Sequence, residues 1–234
     1  MYSSDLAGLA ILWLKSNDDH GDPIMFRVST TLAAIAAAAL IGVSSAAVAA
    51  DVAPGKPAPD FTAKDSQGRD VKLSSFKGRT VVLEWSNSGC PYVRKHYGGG
   101  NMQALQKSAA DKGVVWLTIL SSAPGQQGYA KGPDAEKIAS AAKATPSAIL
   151  LDPDGTVGRM YNAQTTPHMF VIDKSGALAY MGAIDDKPTS NAADIKGARS
   201  YVTEALDAVE AGKPVKTAST RAYGCSVKYN AAKS

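Results

Sequence analysis

TVVLEWSNSGCPYVRKHYG, residues 80–98, joins two kinds of structure through one thiol. Val81, Val82 and Leu83 form a short apolar, β-branched run, the composition of a strand buried on both faces. Pro91 stands where the first turn of a helix accepts a residue without an N–H. Cys90 sits between the two. The pattern therefore predicts a strand, a short loop, and a helix that opens directly after a cysteine.

The same reading extends outward. VAPGKPAPDF (52–61) is proline-rich and extended, and a short strand is expected around Val71–Leu73. The helix after Cys90 is expected to run to about Ala110, with Gly98-Gly99-Gly100 as a point of interruption. VVWLTIL (114–120) and SAILLD (147–152) read as further buried strands, with a helix over 133–144 between them and a short helical piece at 157–162. TTPHMFVID (165–173) and ALAYMGAID (177–185) read as a hairpin around Lys174-Ser175-Gly176. One helix is expected from about Ala192 to Glu210. The remainder, 212–234, shows little periodicity and reads as a flexible tail carrying Cys225. Alternating strands and helices followed by a hairpin imply an α/β protein with a mixed sheet, antiparallel at one side.

The chain of 234 residues has 45% hydrophobic and 20% charged residues, which suffices for a core. Its net charge of +4 comes from scattered lysines and arginines, which argues for solubility and against a nucleic-acid footprint. Two cysteines, Cys90 and Cys225, make neither a disulfide scaffold nor a zinc spacing. Residues 25–50 combine Met25 and Arg27, an alanine-rich apolar run, and small residues at Ala47-Val48-Ala49-Ala50, the pattern of a secretory signal peptide. Residues 1–24 then read as an upstream extension ahead of a start at Met25. The domain is expected over 51–211, in a periplasmic or secreted protein with no stable membrane anchor once the signal is cleaved. An oxidising compartment permits a disulfide.

PGKPAPDFTAKDSQGRDVKLSSFKGRTVVLEW (54–85), the Cys90-Pro91 junction, and Thr166-Pro167 at the head of the next-to-last strands occur in an order that resembles the thioredoxin-fold superfamily. More narrowly, it resembles the redoxins that include alkyl hydroperoxide reductase and the thiol-specific antioxidant proteins. That resemblance implies a central mixed β-sheet flanked by helices. It implies Pro167 as a cis-proline beside the reactive cysteine, and Thr166 as the residue offering its backbone to substrate thiols. It also implies Glu84, a charge within an apolar strand run, as a buried acid that relays protons; an acid that reaches solvent at a strand end or pairs with an arginine is the alternative reading. The chain departs from relatives in two ways. Val93 replaces the second cysteine of a C-x-x-C pair. Leu83 and Asn87 occupy the proline and threonine positions of P-x-x-x-[TS]-x-x-C, leaving Asn87, Ser86 or Ser88 as replacement donors.

A cysteine at a helix start is activated by free N–H groups and the helix dipole, so Cys90 is the expected nucleophile. Oxidised to a sulfenic acid, it needs a second thiol to form a disulfide. Cys225 is the candidate resolving thiol; a permanent structural disulfide and an unrelated tail thiol are the alternatives. Arg94 and Lys95 either support the thiolate or form a solvated helix face, as does His96, and His168 follows Pro167 closely enough to approach Cys90. The expected substrate is a peroxide or a protein disulfide, reset by a thiol reductant protein, with no cofactor. Two other readings stand beside it: a copper site built from Cys90, His168 and His96, and a non-catalytic binding protein with locked cysteines.

Overall fold

The computed structural model describes residues 52–230. The expected signal peptide and upstream extension lie outside the described residues. The strands are β1 (Thr62–Asp65), β2 (Asp70–Lys72), β3 (Val81–Trp85), β4 (Val115–Leu120), β5 (Ala148–Leu151), β6 (Thr165–Thr166), β7 (His168–Ile172), β8 (Leu178–Gly182) and β9 (Cys225–Ser226). The helices are α1 (Pro91–Gly98), α2 (Asn101–Asp111), α3 (Gly132–Ala141), α4 (Thr156–Met160) and α5 (Tyr201–Glu210). Two 3₁₀ turns, Leu73–Phe76 and Ala192–Ile195, complete the set.

Seven strands form one sheet in the order β2-β1-β5-β4-β3-β7-β8. The parallel pairs β3–β4 and β4–β5 are central, and antiparallel strands flank them on both sides. The sequence suggested one antiparallel side only. The other arises from β1, whose TAKD is too short and polar to announce itself, although Ala63 and Asp65 alternate inward. Asp65 then shapes the turn to β2 by accepting the N–H groups of Gln67 and Arg69 at 2.9 Å each.

All five β3 residues are buried. Val81, Leu83 and Trp85 face one core, with Phe61, Leu73, Tyr161 and Phe170. Val82 faces the other, with Met102, Trp116, Met169, Tyr180, Val202 and Leu206, beneath α2 and α5. This alternation places Glu84 on the α2 and α5 face, inside the protein. The expected interruption of the first helix is real: Gly100 at φ +75° ends one segment and begins the next, in the left-handed region that glycine enters without a Cβ penalty. The last helix, expected as one piece, is split. Gly197 adopts φ +84°, and Ser200 starts α5 by accepting the Thr203 N–H at 3.2 Å, so a cap overrides helix propensity.

The tail is the largest departure from the sequence reading. Residues 213–230 are held against the domain. Thr220 N–H donates to Met181 O at 3.1 Å along β8, β9 pairs with β6, and Ala123 N–H donates to Lys228 O at 2.8 Å. Tyr223, Cys225, Val227 and Tyr229 alternate with Gly224, Ser226, Lys228 and Asn230. That period of two was the signal for a strand.

Candidate active site around Cys90

Cys90 is the N-cap residue of α1, and its backbone N–H donates to Asn87 O at 2.9 Å. Asn87 builds this loop. Its Oδ1 accepts the Gly89 N–H at 2.8 Å and its Nδ2 donates to Gln127 O at 3.1 Å. Asn87 is therefore committed to the turn and does not replace the missing threonine as a free donor. Gly128 admits it: a Cβ there would stand 2.2 Å from Asn87 Oδ1.

The Thr166–Pro167 peptide is cis, and Thr166 O lies 3.0 Å from Cys90 Sγ, accepting from the thiol. On its other side Thr166 is paired with Cys225 in the β6–β9 register. Strand pairing thus brings the two cysteines together across Thr166, from opposite ends of the domain. Cys90 is fully buried and Cys225 partly exposed. Burial pushes the Cys90 thiol up, but opposing donors outweigh it: the Cys225 S–H, the N–H groups of Val93 and Cys225, and the Thr166 hydroxyl. The net direction is below the ordinary thiol value. Thr166 Oγ1 is buried and has no other partner, so it is free to serve a thiolate. Cys225 moves the opposite way, to about 11, through burial, its hydrogen bond to Cys90 and repulsion from that sulfur. The two thiols thus shift in opposite directions, Cys90 toward the thiolate and Cys225 away from it.

Glu84 accepts from Trp116 Nε1 at 2.9 Å, Thr118 Oγ1 at 3.1 Å and the Tyr97 hydroxyl at 3.0 Å. Burial raises its pKa against these donors. Tyr97, Thr118 and Ser86 separate it from a cavity of about 370 Å³ between α1 and α3, which Val93, Arg94 and Ile138 also line. A carboxyl whose folded pKa is raised contributes stability that is complete below its unfolded value of 4.5 and is lost as pH rises through the folded value. Glu84→Gln removes that loss. The stability of the variant relative to the parent is expected to increase between pH 4 and pH 8 in urea titrations, whereas a constant gap would show that Glu84 titrates normally.

The remaining basic candidates do not face Cys90. Arg94 is exposed and donates from Nε to Ser88 O at 3.0 Å. Lys95 and His96 are buried, contrary to a solvated helix face. Lys95 Nζ donates to Lys187 O at 2.7 Å and lies 3.7 Å from Asp185 Oδ2. His96 Nδ1 is 2.8 Å from Asn101 Nδ2, and its Nε2 is 3.2 Å from the Tyr223 hydroxyl. The network assigns Nδ1 as acceptor and Nε2–H as donor, and the Tyr223 hydroxyl donates to Asp185 Oδ1. His168 accepts the Gln164 N–H at 3.3 Å and packs its ring on Phe170, with centroids 4.5 Å apart. With both His96 nitrogens engaged and His168 turned to the core, the copper ligand set is not assembled. Among the described residues no group of three or more His, Cys, Asp or Glu side chains is placed to hold a metal. Sequence reasoning missed Asp185, Asn101, Tyr223 and Gly224.

The sequence profile of the AhpC/TSA family matches residues 54–181, a span that contains Cys90, Thr166 and Pro167 and stops short of Cys225. A probable phospholipid hydroperoxide glutathione peroxidase of Solanum lycopersicum is 35% identical over 60 residues, 26% of this chain and 34% of that protein. The chain thus spans about a third of the length of that curated relative. An uncharacterized conserved protein from Geobacillus kaustophilus superposes with a TM-score of 0.67 at 26% identity, covering 76% of this chain and 93% of its own. A hypothetical protein from Sinorhizobium meliloti superposes at 0.63 with 25% identity, covering 77% and 96%.

Proposed function

The chain belongs to the AhpC/TSA family of thioredoxin-fold redoxins, and on that premise we propose that it is an exported thiol-based oxidoreductase with Cys90 as attacking thiol and Cys225 as resolving thiol. The observation that carries this reading is the β6–β9 pairing, which sets Cys225 against Thr166, whose carbonyl oxygen lies 3.0 Å from Cys90 Sγ. The hydroperoxide in the tomato relative's name favours a hydroperoxide over a protein disulfide as oxidant. Export rests on the signal-like run at 25–50.

In the proposed cycle the Cys90 thiolate attacks the terminal peroxide oxygen. The O–O bond breaks, the leaving oxygen departs with its electron pair and takes up a proton, and Cys90 becomes a sulfenic acid. Cys225 gives up its proton and attacks the Cys90 sulfur. The S–O bond breaks, water leaves, and a Cys90–Cys225 disulfide forms within the chain. A thiol reductant protein then attacks Cys225, the more exposed sulfur, and expels Cys90. The lower thiol pKa of Cys90 makes it the better leaving group. Glu84 is proposed to hold and return protons through Ser86 at the cavity wall. Thr166 supplies the carbonyl and hydroxyl that hold the Cys90 sulfur, and Pro167 fixes that strand end.

The test is one equivalent of hydrogen peroxide added to reduced protein, followed by rapid thiol blocking, intact mass and peptide mapping. Expected is fast loss of both thiols with a Cys90–Cys225 linkage, abolished in Cys90→Ser and arrested at the sulfenic acid in Cys225→Ser. Failure of Cys90 to react would overturn the peroxide reading.

A further inference from the structure

Strand β6 is only two residues long, and its pairing partner is the chain's own β9. Main-chain pairing of this kind reads an extended backbone and little of its sequence, which is how added strands bind sheet edges. Any polypeptide that approached Cys90 by pairing with Thr166 would need the place that Gly224, Cys225 and Ser226 already fill. The fit there is backbone against backbone: a Cβ on Gly224 would stand 2.0 Å from Thr166 O.

The strand is anchored at both ends. Before it, the Tyr223 hydroxyl is held between Asp185 and His96, its ring packs on Tyr92 at 5.8 Å between centroids, and Lys95 Nζ lies 5.6 Å from the ring. After it, Val227 N–H donates to Gln164 O at 3.0 Å and the Tyr229 hydroxyl donates to Ala163 O at 2.7 Å. Arg159 closes the end, donating to Asn230 O at 2.8 Å. Beneath this arm Cys90 has no exposed surface.

We infer that residues 221–230 are a resident strand that occupies the polypeptide-pairing edge of the Cys90 site and restricts it to oxidants smaller than a peptide. The inference rests on the reading of Cys90 as the attacking thiol and narrows its substrate class. A tethered segment competes at an effective concentration of roughly millimolar for a short linker. A free peptide at micromolar concentration must therefore displace the arm at a disadvantage of about 10²–10³, while a peroxide needs only local opening.

The test uses the full chain in the Cys225→Ser background, where Cys90 is the remaining cysteine. Tyr223→Ala releases the anchor, and Tyr223→Phe, which keeps the ring and loses the hydroxyl, serves where alanine impairs folding. Two probes are compared by intact mass: 2-hydroxyethyl disulfide and a peptide disulfide of about ten residues. In each, Cys90 attacks one sulfur, the S–S bond breaks, a mixed disulfide forms and a thiolate leaves. The ratio of peptide rate to small-disulfide rate is expected to rise at least about tenfold on release of Tyr223. A fluorescent peptide copying residues 221–230 with serine for the cysteine is expected to bind the released variant below millimolar concentration and not the parent. An unchanged rate ratio, or equal or absent binding to both proteins, overturns the inference. Absence of a Cys90 adduct with 2-hydroxyethyl disulfide overturns the attacking-thiol reading instead, and the peptide titration still decides the arm.

Discussion

Gly224→Val is expected to slow formation of the proposed Cys90–Cys225 disulfide at least about 100-fold while leaving the domain folded. The backbone at Gly224 has φ +140°, and a Cβ would stand 2.0 Å from Thr166 O and 2.7 Å from its carbonyl carbon. These are backbone atoms, so no side-chain rotation relieves the clash. The cheapest response is for β9 to leave β6, because Cys225 and Ser226 are not part of the two main clusters of buried residues, and Tyr223 and Val227 on either side pack against those clusters only as partly buried residues. Cys225 then moves away from Cys90. Treated with a general thiol oxidant, the parent protein should yield the Cys90–Cys225 linkage, and the variant should yield it at least about 100-fold more slowly, as expected when a preset encounter of two groups is lost. Circular dichroism and urea titration should show the fold retained. Normal linkage in Gly224→Val would mean that the strand pairing does not position Cys225.

Acid should destabilise the protein well above the carboxylate range. His96 and His168 are both buried, and burial lowers each from 6.5 to about 4; for His96, Asp185 opposes the shift and Lys95 adds to it. A lowered histidine pKa means that the unfolded chain binds the proton more readily. The stability is present above pH 6.5 and is lost as pH falls toward 4. Linkage puts the loss at roughly 2 kcal/mol per histidine by pH 5, roughly 4 for the pair. Glu84 runs in the opposite direction, so the cleanest measurement is made in the Glu84→Gln background. Urea titrations at pH 7, 6 and 5 should show proton uptake on unfolding that grows from about half a proton at pH 7 toward about two at pH 5, and His168→Phe should remove about half of the slope. A flat profile between pH 7 and pH 5 would show that neither ring is held neutral by burial.

The site was legible where it depends on local chain chemistry. An apolar run before Cys90, Pro91 at the first helical position and an apolar run after Pro167 are short-range patterns, and the strands and the helix start lie where those patterns put them, while the cis peptide at Thr166-Pro167 lies where the family resemblance implied it. Glu84 stood out as a charge within an apolar run, but only the structure showed that it is buried rather than turned to solvent at the strand end. Lys95 and His96 were not read correctly, since nothing local distinguishes a solvated helix face from one covered by Asp185 and Tyr223, which lie about 90 and about 127 residues further along the chain.

By itself the sequence determined the α/β order, the buried central strands and the placement of one thiol at a helix start, because strand burial and helix capping are decided within a few residues. Only the tertiary structure decided that the tail is a strand, that Cys225 meets Cys90 across Thr166, and which of the two thiols is shifted toward its thiolate. Those outcomes depend on which sheet edge is left open for β9 and on which donors converge on one sulfur. Both are properties of packing between segments about 60 residues or more apart in the chain.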